Sequence, residues 1–268
     1  MSNELAQELK QLHVPASPVI FTNVWDVASL NAIISLNTAD SKPVKAIATA
    51  SWAIAATVGV KDEDLELEQN MAAIGQLAPA AKAAGLPLSV DLQDGYGDLV
   101  DEVVTEVVTL GASGANIEDS IPSAGFEKGI DGSLYSIETQ VARLKSALEA
   151  AREAGCSDFV LNARCDVFRL EPYYADDDEG ALAEAVKRGR AYLDAGATTV
   201  FFWGGSGRGL RASRVAVKLG ERPDSLSTKE LREIGVARIS VGPSLYLVAM
   251  DAVKASARRI LDGGKLAA

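Results

Sequence analysis

The sequence predicts an α/β fold, a single closed barrel of eight parallel strands, and three observations carry that reading. Short β-rich runs alternate with longer helical stretches from end to end, the pattern of βα units feeding a parallel sheet. Eight such strand runs can be counted, the number that closes a (β/α)8 barrel. One joint recurs between helix and strand, at Ala84-Gly85, Leu110-Gly111, Ala154-Gly155, Ala195-Gly196 and Ile234-Gly235. A glycine there supplies the left-handed residue that ends a helix.

The first strand is predicted over residues 19–22 and is followed by a helix over 27–36. The second strand, 46–50, leads to a helix over 65–84, and the third, 88–91, to a helix over 100–110. Strand 114–118 precedes helix 137–154, and strand 159–164 precedes helix 179–195. Strands at 199–203, 215–219 and 238–241, with helices at 231–234 and 244–261, complete the series. The sixth unit is odd, because Gly204-Gly205-Ser206-Gly207-Arg208-Gly209 and a few residues are all that separate Trp203 from Val215. Its helix is expected to be short or missing. That run lacks the Lys-Ser/Thr of a phosphate loop, and no glycine follows the first strand in Phe21-Thr22-Asn23-Val24-Trp25-Asp26. An open dinucleotide-binding sheet is therefore disfavoured.

At 268 residues, 48% apolar and without a linker or low-complexity run, the chain reads as one domain over 1–268. A net charge of −11 argues against a nucleic-acid or anionic-membrane surface and points to a small-molecule partner. The N-terminus has neither a basic n-region nor an apolar core, so a cytoplasmic protein is expected. Cys156 and Cys165 are read as reduced and packed, and His13, the single histidine, makes a catalytic triad or a histidine-rich zinc site implausible.

Chemistry concentrates where strands end. Strand three runs straight into Asp91-Leu92-Gln93-Asp94-Gly95-Tyr96-Gly97, with carboxylates of the kind Mg2+ takes and glycines that allow a sharp turn. An acidic turn after a strand is also ordinary turn chemistry. The other ends are polar too: Asn23-Val24-Trp25-Asp26, Thr49-Ala50-Ser51-Trp52, Glu118-Asp119 and Arg164-Cys165-Asp166. In a barrel these ends converge on one face. Together they offer carboxylates for a divalent cation, an arginine fork for a substrate carboxylate, and loop amides for an oxyanion. That set suits an oxyacid or 2-oxo acid bound with Mg2+.

These motifs, with Val58-Gly59-Val60-Lys61-Asp62, Gly114-Ala115-Asn116-Ile117-Glu118-Asp119-Ser120, Asn162-Ala163-Arg164-Cys165-Asp166 and the segment from Gly235 to Pro243, make the chain resemble the isocitrate lyase / phosphoenolpyruvate mutase superfamily. The resemblance spans nearly the whole length. It implies a modified (β/α)8 barrel whose last helix, here 244–261, is exchanged between subunits of a homodimer or homotetramer. It implies Asp91 as the main Mg2+ ligand, with Glu118 acting through water, and Gln93 and Asp94 completing the metal motif. It further implies Asp62 at the edge of the site, Arg164 against the substrate carboxylate, Thr49, Ala50, Ser51 and Trp52 as the substrate loop, and Asn23 and Asp26 as support.

Two departures narrow the activity. The commonest metal motif of the family is Asp-x-Asp-x-Gly-Tyr-Gly; here Gln93 replaces its second acid and Asp94 follows. A neutral amide still orients water, so metal binding is expected to be weakened or shifted onto Asp94. The loop after strand four, 120–129, has no cysteine and no histidine, which argues against isocitrate and methylisocitrate lyase activity, and it lacks the asparagine of the phosphonate-forming mutases. The leading expectation is a Mg2+-dependent lyase that cleaves a C–C bond of a small 2-oxo or 2-hydroxy carboxylate through an enolate. The alternatives are phosphonomutase or phosphonopyruvate hydrolase chemistry, and a catalytically silent binding member of the fold.

Overall fold

A computed structural model describes residues 2–171, 179–204 and 214–266. Its strands are β1 (Val19–Val24), β2 (Ile47–Thr49), β3 (Leu88–Asp91), β4 (Gly114–Glu118), β5 (Val160–Cys165), β6 (Thr199–Phe202), β7 (Val215–Lys218) and β8 (Arg238–Ser240). All pair in parallel and in chain order, and β8 returns to β1 with Val19 opposite Arg238, so the sheet is a closed barrel. The described helices are α1 (Ser2–Leu12), α2 (Val27–Ile34), α3 (Ser51–Val58), α4 (Leu67–Ala83), α5 (Val100–Leu110), α6 (Gly129–Ser133), α7 (Ile137–Glu153), α8 (Glu179–Asp194), α9 (Thr228–Glu233) and α10 (Ser244–Leu261). Among the described residues no helix is long and apolar enough to cross a membrane.

The predicted strands and longer helices are all present, and three helices were not anticipated. α1 plugs the N-terminal mouth of the barrel: its Leu9 packs with Val19, Phe21, Ala46, Ala48 and Val160 near the strand starts. α3 begins at Ser51, where a loop was expected, and α6 lies in the loop after β4. α9 starts earlier than the predicted 231–234, because Ser227 and Glu230 form a reciprocal capping box ahead of it. The helix predicted over 65–84 starts two residues later, at Leu67, because Glu66 and Gln69 form a capping box ahead of it. The recurring joint behaves as read, with Gly111 at φ 108 closing α5. Residues 205–213, which hold the glycine-rich run after Gly204, lie outside the described residues, and so does the expectation of a short or missing sixth helix.

The outer face of the sheet is sealed by apolar helix faces, among them Leu77 of α4, Val103 and Val107 of α5, and Leu144 and Ala147 of α7, all fully buried. Each such Leu or Val contributes roughly 1.5–3 kcal/mol by leaving water. The interior is different. Thr199 donates to Asn162 at 2.6 Å, Asn162 donates to Asn116 at 2.8 Å, and Arg238 reaches across to Asn116 at 3.0 Å and Ser89 at 3.1 Å. A belt of hydrogen-bonded side chains therefore fills a layer that branched apolar residues usually occupy. α10 stands apart: none of its residues is buried, and Leu247, Val248, Val253 and Leu261 are exposed.

Candidate active site

The C-terminal ends of the strands gather one cluster of charge. Register sets Glu118 opposite Arg164, and their side chains meet with Oε2 to Nη1 at 2.5 Å. Arg164 also donates to Asp166 through Nε at 2.6 Å and Nη2 at 2.9 Å. Its guanidinium stacks 3.8 Å over the ring of Trp203, just beyond β6. Three of its five N–H groups are used in these pairs, which leaves one on each terminal nitrogen to meet a ligand. Ser120 lies between the acids, its hydroxyl donating to Asp166 at 2.7 Å with Glu118 Oε1 3.1 Å from the same oxygen.

Asp91 ends β3 and faces the N-terminus of α3. Ser51 gives it both its backbone N–H and its hydroxyl, each at 3.1 Å, while the Asp91 amide donates to Thr49 Oγ1 at 2.8 Å. Ala50 is the N-cap of α3 and brings no side-chain cap of its own; Asp91 takes the Ser51 amide and the Ala53 N–H bonds Ala50 O at 3.1 Å, which leaves the Trp52 N–H of the first turn for negative charge. What the sequence presented as a substrate loop, Thr49 to Trp52, is thus a strand end and the first turn of a helix. Trp52 lies at the rim, partly exposed, with its ring edge-on to Tyr246 at 6.0 Å.

Asp62 joins this cluster from the 3-10 turn. Burial pushes its carboxyl up to about 6, and the negative charge of Asp91 pushes in the same direction. Burial likewise raises Glu118 well above the usual range, opposed by Arg164 and reinforced by Asp166, Asp91 and Asp62. Gln93 holds Asp62, its amide donating to the Asp62 carbonyl at 2.5 Å and to the carboxylate at 3.4 Å. It does so from a left-handed backbone, φ 53, which costs a non-glycine residue of order 1 kcal/mol.

Asp94 is not brought into the cluster. Its oxygens accept from Tyr96 N at 2.9 Å, Gly97 N at 3.2 Å and Tyr135 Oη at 2.8 Å, with Arg143 at 3.8 Å, so it shapes the turn. The expected shift of metal binding onto Asp94 finds no geometry here. Asn23 ties strand ends together: it donates to Thr49 O at 2.7 Å and accepts from Val241 and Gly242, each at 3.0 Å. Asp26 caps α2 through Ser29. Several contributors had no assigned role from sequence: Ser120 and Asp166 between the acids, Trp203 under Arg164, and Asn70, which donates to Asp91 O at 3.0 Å and Tyr96 Oη at 2.9 Å. Trp203 and Asp166 did stand at strand ends, which was a usable signal; Asn70 comes from the middle of α4 and had none.

Four carboxylates, Asp62, Asp91, Glu118 and Asp166, thus surround one arginine, and their mutual repulsion calls for further positive charge. Among the described residues no group of three His, Cys, Asp or Glu side chains forms a ready-made metal cage. Mg2+ does not need one, since it keeps several waters and takes one or two carboxylates. The chemistry of this donor set fits a hydrated Mg2+.

A closed barrel with acids, an arginine and a helix N-terminus gathered at its C-terminal strand ends has the design of a barrel enzyme. The sequence profile of the phosphoenolpyruvate phosphomutase family matches residues 9–261, and the chain belongs to that family, within the isocitrate lyase / phosphoenolpyruvate mutase superfamily of lyases and mutases. It is 30% identical to an uncharacterized protein of Mycobacterium tuberculosis over 95% of this chain and 89% of that one. It is 26% identical to the oxaloacetate decarboxylase of Bradyrhizobium diazoefficiens, covering 78% of this chain and 71% of the relative. Among solved structures, a candidate phosphonomutase from Burkholderia cenocepacia superposes with a TM-score of 0.82 at 34% identity, over 98% of this chain and 100% of the other.

Proposed function

We propose that the protein is a Mg2+-dependent lyase that cleaves a C–C bond of a small 2-oxo or 2-hydroxy carboxylate. The observation that carries this reading is the excess of carboxylates around Arg164, facing the amide end of α3. Asp91 would hold the cation, with Glu118 and Gln93 acting through water. When bound, Mg2+ would draw electron density from the 2-oxo and carboxylate oxygens of the substrate. The two spare N–H groups of Arg164 receive the substrate carboxylate, and Trp203 fixes the plane of that fork. The remaining first-turn amide of α3, that of Trp52, is the donor for the oxygen that becomes negative as the bond breaks. Asp62 is the acid at the edge of the cluster suited to carry a proton, because its environment brings it close to neutral pH.

The oxaloacetate decarboxylase relatives support carbon–carbon chemistry on a 2-oxo acid. The candidate phosphonomutase favours a second reading, in which the same site breaks or moves a C–P bond. Incubating the protein with Mg2+ and oxaloacetate, oxalomalate, methylisocitrate or phosphonopyruvate separates the two. Turnover of a carboxylate, abolished by EDTA and by Asp91→Ala, is the expected result. Turnover of phosphonopyruvate alone overturns the lyase reading. Calorimetry that finds no Mg2+ binding, with or without oxalate, overturns both and leaves a silent homologue.

We further propose that α10 packs against a second copy of the chain in a homodimer or a tetramer of dimers. Its exposed apolar residues support this.

A further inference from the structure

On the face opposite the carboxylates, at the N-terminal ends of β5, β6 and β7, lies a cleft of about 640 Å3. Its size is that of a small-molecule pocket. One stripe of α7 forms a wall, since Lys145, Leu148, Glu149 and Arg152 follow the three-, four- and seven-residue spacing of a single helical face. The last turn of α1 brings Lys10 from another side, and Arg214 enters just ahead of β7. Phe159 and Leu148 give the cleft an apolar wall between these cations.

The lining therefore holds four permanent positive charges against one carboxylate, a net of three. Counting the acids outside the lining that pair with these cations, Asp158 at 3.0 Å from Lys10 and Glu153 at 3.8 Å from Arg152, leaves one, in a chain whose overall charge is −11. Helix ends account for part of this: Lys10 and Arg152 sit in the last turns of α1 and α7, where cations complement free carbonyls. They do not account for the rest. Lys145 is exposed in the middle of α7 and has no ion-pair partner among the described residues. Arg214 is anchored by donating to the carbonyls of Ala197 and Thr198, which leaves other N–H groups of its guanidinium without a partner among the described residues. A fixed arginine and a free lysine beside an aromatic wall are what a charged ligand with an apolar body needs.

We propose that this cleft binds a small polyanion with an apolar portion, a phosphate ester or a tricarboxylate, at a site separate from the carboxylate cluster. Titration calorimetry on the full chain in Mg2+-free buffer tests this with ATP, citrate and adenosine as probes. One saturable site for ATP or citrate is expected, and the tighter of the two names the ligand class. Lys145→Glu is expected to weaken it by about tenfold, as loss of one charge contact at a partly screened site does. Asp91→Ala is expected to leave it unchanged. Lys145→Ala, a good helix former at an exposed position, repeats the comparison if the charge reversal disturbs folding. Absence of saturable binding by ATP and citrate overturns the proposal. So does adenosine binding as tightly as ATP, or binding that survives both Lys145 variants and is lost in Asp91→Ala.

Discussion

Glu118 shows how single side chains in this site work against their surroundings. It is buried among three other acids and kept in place by one arginine 2.5 Å away, so its charge depends on the partner that the proposed substrate carboxylate would share. The acids themselves were legible in the sequence, because a carboxylate directly after an apolar run is a local signal. Their division of labour was not: Asp91 and Asp94 stand three residues apart, and only the tertiary partners Ser51 and Tyr135 decide that one faces the cluster and the other the turn. His13 makes a sharper single-residue case. Burial, with help from Arg238, lowers it from 6.5 to about 3. Between those values the unfolded chain binds a proton that the folded chain refuses, so stability falls as pH drops below 6.5 and the loss is complete near 3. At pH 4.5 the histidine is expected to cost roughly 2–3 kcal/mol. Urea denaturation at pH 7 and 4.5 should show His13→Asn losing less stability than the parent by that amount; equal losses would refute the assignment.

Among the elements, α8 is tied to β4 from behind. Arg188 donates to Asp119 at 3.1 Å and to Tyr135 O at 2.9 Å, and Tyr192, one turn on, donates to Asp119 at 2.6 Å. Asp119 in turn accepts from the amide of Asp166 at 2.8 Å, so the helix steadies the residue that grips Arg164. Arg188→Ala leaves a buried carboxylate without its cation and is expected to cost about 3–5 kcal/mol. Adding Asp119→Asn should restore part of it, measured by a double-mutant cycle in urea. Strictly additive losses would mean the two do not act as a pair. The strands and long helices could be read because their apolar spacing is local. α3 escaped because Ser-Trp-Ala-Ile-Ala-Ala-Thr-Val carries no polar face to set a helical rhythm, whereas α1 carried a usable signal, with Leu5, Leu9 and Leu12 at helical spacing.

For the whole molecule, the eightfold alternation and the recurring glycine joint were enough to predict closure, while the contents of the cylinder were hidden because inward residues come from every strand. The proposed association through α10 belongs at this scale. Sedimentation should find a dimer or larger species, and replacing Val248 and Val253 with Asp should yield monomers that melt lower. A parent protein that is monomeric at micromolar concentration would remove that proposal. The hydrogen-bonded belt inside the barrel bears on how the chain reaches this form. Arg238 is fully buried, stacks 4.2 Å over Phe21, and has no partner for its Nε or Nη1 among the described residues. Burial lowers its proton affinity to about 9. It also lies on the strand that meets β1, at the seam. Joining the first and last strands thus strips water from a guanidinium at the seam, an electrostatic cost of closure that an oily barrel core would not impose.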